Sequence, residues 1–293
     1  MLISIHLSAV TFGAGVQWYE AYDYVDQQGR FIIGGISPGG SVGAAGGWVM
    51  GGGHSAFSPS LGLGTISHSH YERVLTTELH LLFLLGVDNV LEFTIVLANG
   101  TLTTTNAHQY PDLFWALRGG GGGTYGVVLS ATYQTHPKFS LTTPILQVNF
   151  TSPETAQSII TELFRLHADL SDAGWGGYTS VFPEYMTAMF TAPNITVDDA
   201  NQKFEPLVSF ATNATGGAVS YTTPVYGSFM EWWKANSESG AQGQLGGNVE
   251  MASRLLPREL AKECPEKVAR IGFSLGGFAT KYVFLSFFPS LRP

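Results

Sequence analysis

The segment GGISPGGSVGAAGGWVMGGGHSAFSP, residues 34–59, carries ten glycines in 26 positions and neither Lys nor Arg. Glycine loses more conformational freedom on folding than any other residue, so such a run needs a physical reason. A flexible linker would be rich in Ser and poor in large apolar residues. Here Ile36, Val42, Trp48, Val49, Met50 and Phe57 are interleaved with the glycines, and the apolar RFIIGG leads in. The pattern predicts an ordered loop packed on a core, with one bare face. Unhindered backbone N–H groups on such a face suit a large, flat or anionic ligand.

The 293 residues allow one large domain or two ordinary ones. A hydrophobic fraction of 44%, with 13% aromatics, supports a sizeable core. Net charge is −8 and the 14 Lys and Arg are scattered, which argues against a nucleic-acid partner. The longest apolar run, LHLLFLLGV at 79–87, is about half a membrane span, so no membrane partner is expected. The first residues, MLISIHLSAV, lack the basic start of a signal peptide. Cys264 stands alone, which excludes an internal disulfide framework and a cysteine-based zinc site. Asn99, Asn149, Asn194 and Asn213 each begin an N-x-T sequon, which points to an extracellular, glycosylated protein.

Periodicity divides the chain near residue 140. AVTFGAG reads as a strand, and VQWYEAYDYVDQQG as an amphipathic helix closed by Gly29. VLEFTIVLANGTLTTT reads as a hairpin around Asn99-Gly100, and GVVLSATYQTHP as a half-buried strand. Asp112 opens a helical turn in PDLFWALRG. Beyond 140, SPETAQSIITELFRLHADL predicts a long helix capped by Ser152. GGYTSVF, YMTAMFTA and AVSYTTPV then read as strands, with helices at VDDANQKFEPLVSFA and SFMEWWKAN. The fold class expected is α+β, with an antiparallel sheet backed by helices in the second unit.

Three motifs carry little. GFSLG, residues 272–276, matches a nucleophile elbow around Ser274, but PEKVARI before it is helical and no Asp, Glu or His follows. Gly121, Gly123 and Gly126 satisfy G-x-G-x-x-G, yet a β-branched run rather than a helix comes next. His68 and His70 have no third metal ligand at a regular spacing, and no metal site is expected.

Three blocks together carry a resemblance: residues 34–64, VDNVLEFTIVLANGTL, and HQYPDLFWALRGGGGGTYGVVLSATYQTHP. In this order they resemble the FAD-linked oxidases of the berberine-bridge-enzyme group, which have the vanillyl-alcohol-oxidase, or PCMH-type, FAD-binding fold. The resemblance implies that residues 1–139 are the second half of a PCMH-type FAD-binding domain and 140–293 a substrate domain, shortened at its C-terminus. It places Ser37, Pro38, Gly39, Gly40, Ser41, Val42 and Gly43 along the isoalloxazine and ribityl chain. Gly46, Gly47, Gly51, Gly52, Gly53 and His54 would continue that wall, and Gly126, Val127 and Val128 would close over the adenosine.

Many members tether flavin through a cysteine at the position matched to Ser37. A serine hydroxyl is a far weaker nucleophile than a thiolate, so FAD is expected to bind noncovalently. The histidine tether and main pyrophosphate loop lie in a family segment unmatched here, as does the usual C-terminal base. The catalytic residues are therefore unassigned.

By resemblance the activity is oxidation of a sugar or secondary-metabolite C–H by hydride transfer to flavin, with oxygen as acceptor. The second reading is a non-catalytic fragment with an incomplete FAD site. Trp175, Tyr178, Tyr185, Met189 and Tyr226 are candidates for the substrate face, each read first as core. Residues 65–86 interrupt the match between GLG and VDNVLEF, and their length fits a short intron retained and translated. Sequencing the spliced transcript across this junction tests that expectation.

Overall fold

The computed structural model describes residues 3–6, 8–61, 86–236, 256, 258–276 and 283–286. His68, His70, nearly all of the 65–86 insertion and the stretches 237–255 and 287–293 lie outside the described residues.

A five-stranded antiparallel sheet holds the first half, in the order β1 (Ile3–His6), β2 (Ala9–Gly13), β6 (Val127–Gln134), β4 (Val90–Val96), β5 (Leu102–Asn106). Strands β4 and β5 form the expected hairpin. Gly100 N–H reaches the Leu97 carbonyl at 2.9 Å and Gly100 takes φ +83°, a turn that ends in a left-handed residue. Helix α1 (Trp18–Gln27) buries Trp18, Ala21, Tyr22 and Val25, one stripe of its surface. The Glu20 carboxylate returns to the Gln17 N–H at 2.9 Å, and Gly29 at φ +67° follows the helix end. RFIIGG contributes a strand of two residues only, β3 (Arg30–Phe31), paired with β7 (His136–Pro137); Ile32 and Ile33 are buried without extending it.

The second sheet follows the order β12 (Val219–Thr222), β9 (Ile145–Asn149), β11 (Tyr185–Pro193), β10 (Gly176–Val181), β14 (Val283–Ser286), all antiparallel. Two short strands, β8 (Leu141–Thr142) and β13 (Val225–Tyr226), join it at one side. Pro153–Asp172 and Val197–Thr215 are the helices that pack on it. The Ser152 hydroxyl accepts the Thr155 N–H at 3.2 Å, and the Thr196 hydroxyl accepts that of Asp199 at 3.1 Å.

Each sheet has its own core. Leu146, Val148, Ile159, Leu163, Phe190, Phe204 and Leu207 centre the second. The first is aromatic, built on Trp18, Tyr22, Phe31, Phe57, Phe93 and Tyr133, and it also takes in Phe229, Met230, Trp232 and Trp233. Those four belong to the helix Phe229–Asn236, far along the chain, whose rings meet Tyr22 and Phe57 edge-on.

Pro265–Gly276 is a single helix, so Ser274 lies inside a helix rather than at a strand-to-helix turn. That removes the elbow geometry, as the sequence suggested.

Candidate functional site

The glycine segment is sewn to the start of α1. Trp18 N–H donates to Val42 O at 3.0 Å, Ala44 N–H to Val16 O at 2.7 Å, and Gln17 Nε2 to Ser41 O at 2.8 Å. Two buried phenols pin it from below: Tyr22 donates to the Gly35 carbonyl at 2.9 Å, and Tyr133 to that of Ala44. Burial pushes both phenols well above their ordinary pKa, so they remain donors.

Several glycines are bare for an internal reason. A Cβ on Gly34 would lie 2.3 Å from the Trp18 ring, and one on Gly35 2.9 Å from Trp48. On Gly40 it would meet the Tyr19 backbone at 2.7 Å, and on Gly53 the Trp48 ring at 2.8 Å. These four admit tryptophan and tyrosine packing that the glycine spacing does not reveal. Gly40 and Gly53 also hold φ of +61° and +57°, as Gly39 and Gly52 hold +63° and +99°.

Gly46 and Gly47 differ. A Cβ on either meets nothing within 4 Å, and on Gly43 nothing closer than 3.8 Å. Gly47 opens the one-turn helix α2 (Gly47–Met50), which Gly51 ends. Their bareness serves no contact within the described residues.

A second bare segment, Gly119–Gly123, absent from the sequence expectations, lies beside the first. Gly121 N–H donates to Met50 O at 2.9 Å. A Cβ on Gly119 would stand 3.8 Å from Gly52 Cα, and one on Gly122 3.9 Å from Gly47 Cα. Gly119, Gly121 and Gly123 all have positive φ. The signal was the run of five glycines, set aside because it failed as a dinucleotide fingerprint; its role here is close backbone approach, which needs no fingerprint.

Ser37 Oγ is buried and has no hydrogen-bond partner among the described residues. Pro38–Gly40 form a tight helical turn after it. Gly126 sits at φ +151° where a Cβ would strike Val96 O at 2.4 Å, and Val127 and Val128 begin β6 beside β4. Val127 is 65% exposed. His54 is exposed at the end of the first glycine segment, its Nδ1 3.4 Å from the Tyr178 hydroxyl. Protein around it lowers its pKa, so the ring is neutral at pH 7.

Of the candidates for the substrate face, Trp175 is buried against Phe204, while Tyr178, Tyr185, Met189 and Tyr226 are half-buried. No cluster of three His, Cys, Asp or Glu suited to a metal exists among the described residues. No described helix is long and apolar enough to cross a membrane.

The arrangement is an uncharged wall of two bare loop segments, with the Ser37 hydroxyl enclosed and unpartnered among the described residues. It fits a flat ring system whose edge carries hydrogen-bonding atoms, approached by backbone groups. The open backbone at Gly46 and Gly47 could hold a flat ring such as an isoalloxazine.

No protein-family model matches the chain. It is 36% identical over 266 residues to an FAD-linked oxidoreductase of Arthroderma benhamiae, covering 88% of this chain and 42% of that protein. It is 31% identical over 283 residues to FAD-linked oxidoreductase phmC of Phaeosphaeria nodorum, covering 94% and 57%. The VAO-type flavoprotein MtVAO615 of Myceliophthora thermophila superposes with a TM-score of 0.73 at 26% identity, over 94% of this chain and 47% of that one. Glucooligosaccharide oxidase of Acremonium strictum, at 18% identity and TM-score 0.67, shares the fold. The chain spans about half the length of the relatives it matches.

Proposed function

We propose that this chain, a homologue of FAD-linked oxidoreductases with the α+β fold of the VAO-type flavoproteins, forms one wall of an FAD site in an oxidase of small molecules. The observation that carries the reading is the pair of adjacent bare glycine segments, open at Gly46 and Gly47. When bound, FAD would accept a hydride from a substrate C–H bearing oxygen or nitrogen. The protein's part is to present backbone to the ring and to keep water and side chains from that face. Substrates of the sugar or secondary-metabolite class, and oxygen as the final acceptor, complete the proposal.

FAD is held noncovalently in this reading, because position 37 offers a hydroxyl rather than a thiol. Glucooligosaccharide oxidase, by contrast, carries a 6-S-cysteinyl, 8α-N1-histidyl FAD. The purified chain should show a flavin absorption band that is lost on denaturation and filtration. Gly47→Ala should weaken FAD uptake by about tenfold, a cost of roughly 1.4 kcal/mol. It should leave the thermal midpoint unchanged or slightly raised, since alanine favours a helix by about 1 kcal/mol over glycine. A chain that takes up no added FAD overturns the reading and supports a non-catalytic fragment.

We further propose secretion and N-glycosylation. All four sequon asparagines, Asn99, Asn149, Asn194 and Asn213, are exposed, and Asn194 lies in a turn at φ +55°. Protein from its native source should lose mass on treatment with peptide-N-glycosidase; an unchanged mass rules the modification out.

A further inference from the structure

Strand β10 starts directly on the loop that follows the glycine wall. A Cβ on Gly176 would lie 1.9 Å from the Ala56 carbonyl oxygen, and one on Gly174 3.6 Å from Ser60 Cβ. At these points no side chain separates sheet from loop. Alternate residues of a strand share a face, so the Tyr178 side chain, two positions on, returns to the same loop. Its hydroxyl stands 3.4 Å from His54 Nδ1. The two rings meet edge to face, with centroids 5.8 Å apart.

We propose that Tyr178 completes the cofactor site from the second sheet, positioning His54 at the rim of the glycine wall to hydrogen-bond the edge of a bound FAD ring. The inference rests on the FAD reading above. His54 is exposed, with its Nδ1 side against the Tyr178 hydroxyl. With Nδ1 accepting the Tyr178 proton, Nε2 carries the ring's own hydrogen and would donate to a C=O or ring nitrogen at the flavin edge. Burial raises the Tyr178 pKa, so its hydroxyl proton stays in place as the link to His54. Tyr178 thereby acts through His54 and is a positioning residue.

FAD titration of the full chain tests this, by quenching of flavin fluorescence and by the visible spectrum. Tyr178→Phe and His54→Gln should each weaken FAD binding by roughly 2–12-fold, the value of one hydrogen bond. The double variant should bind no more weakly than the worse single variant, because both remove the same contact. Tyr178→Phe keeps the ring packing, so the thermal midpoint measured without FAD should stay in place and separate positioning from structure. Unchanged affinity in Tyr178→Phe, or losses that multiply in the double variant, overturns the proposal while leaving the FAD reading intact. A wild-type chain that takes up no FAD overturns the FAD reading, and this proposal with it.

Discussion

Gly34→Ala is expected to destabilise the chain by about 3 kcal/mol, the upper end of the usual cost of overpacking a core. The added methyl would lie 2.3 Å from two carbons of the Trp18 indole and 2.5 Å from the Tyr22 hydroxyl. Neither neighbour can yield. Trp18 is fully buried between Tyr22, Trp48 and Tyr133, and Tyr22 is tied to the Gly35 carbonyl. The damage should spread to the wall, because the same phenol anchors the loop that carries Ser37. Denaturant unfolding compares the variant with Gly47→Ala, whose methyl meets nothing. Equal stabilities for the two would show that the segment is not packed on the tryptophan.

The second large effect is loss of stability in mild acid. Burial, with Arg30 adding to it, lowers the His136 pKa to about 4, and burial alone lowers that of His167 to about 3. His136 Nε2 lies 2.8 Å from Asn89 Oδ1 in a pocket where only 7% of the residue is exposed. Unfolded histidines titrate near 6.5, so between that pH and 3–4 the unfolded chain binds more protons than the native one. Stability from these groups is fully present above pH 6.5 and is lost as pH falls toward the native pKa values. At about 1.4 kcal/mol per pH unit, each histidine contributes on the order of 3 kcal/mol. Unfolding free energies at pH 7.5 and 4.5 should therefore differ by several kcal/mol. His167→Leu should remove about half of that difference, and an unchanged difference would reject the assignment.

Local features were legible in the sequence because local physics sets them. The stripe Trp18, Ala21, Tyr22 and Val25 made α1 readable, and Ser152 before Pro153 marked the start of its long helix. Asn99-Gly100 announced its hairpin. The glycine segment was readable as ordered, since its apolar residues needed somewhere to go. Which glycines face inward was not readable, because Trp18 and Trp48 reach Gly34, Gly35 and Gly53 through tertiary packing that follows no period. The same limit hid the second bare segment. Gly119–Gly123 show their purpose only beside Gly47 and Gly52, some 70 residues earlier in the chain. Tyr178 carried no motif, and only the contact of Gly176 with Ala56 reveals the face that it shares.

The helix Phe229–Asn236 closes the first core with residues that follow the entire central part of the second sheet. A ribosome emitting this chain would thus hold an aromatic core lacking two of its tryptophans until position 233 had cleared the exit. Loop closure over some 200 residues is slow, and rings left uncovered meanwhile invite association with other chains. Separating the halves at residue 140 for expression should accordingly yield a first half prone to precipitate, and adding the 229–236 helix back to it in trans should restore solubility.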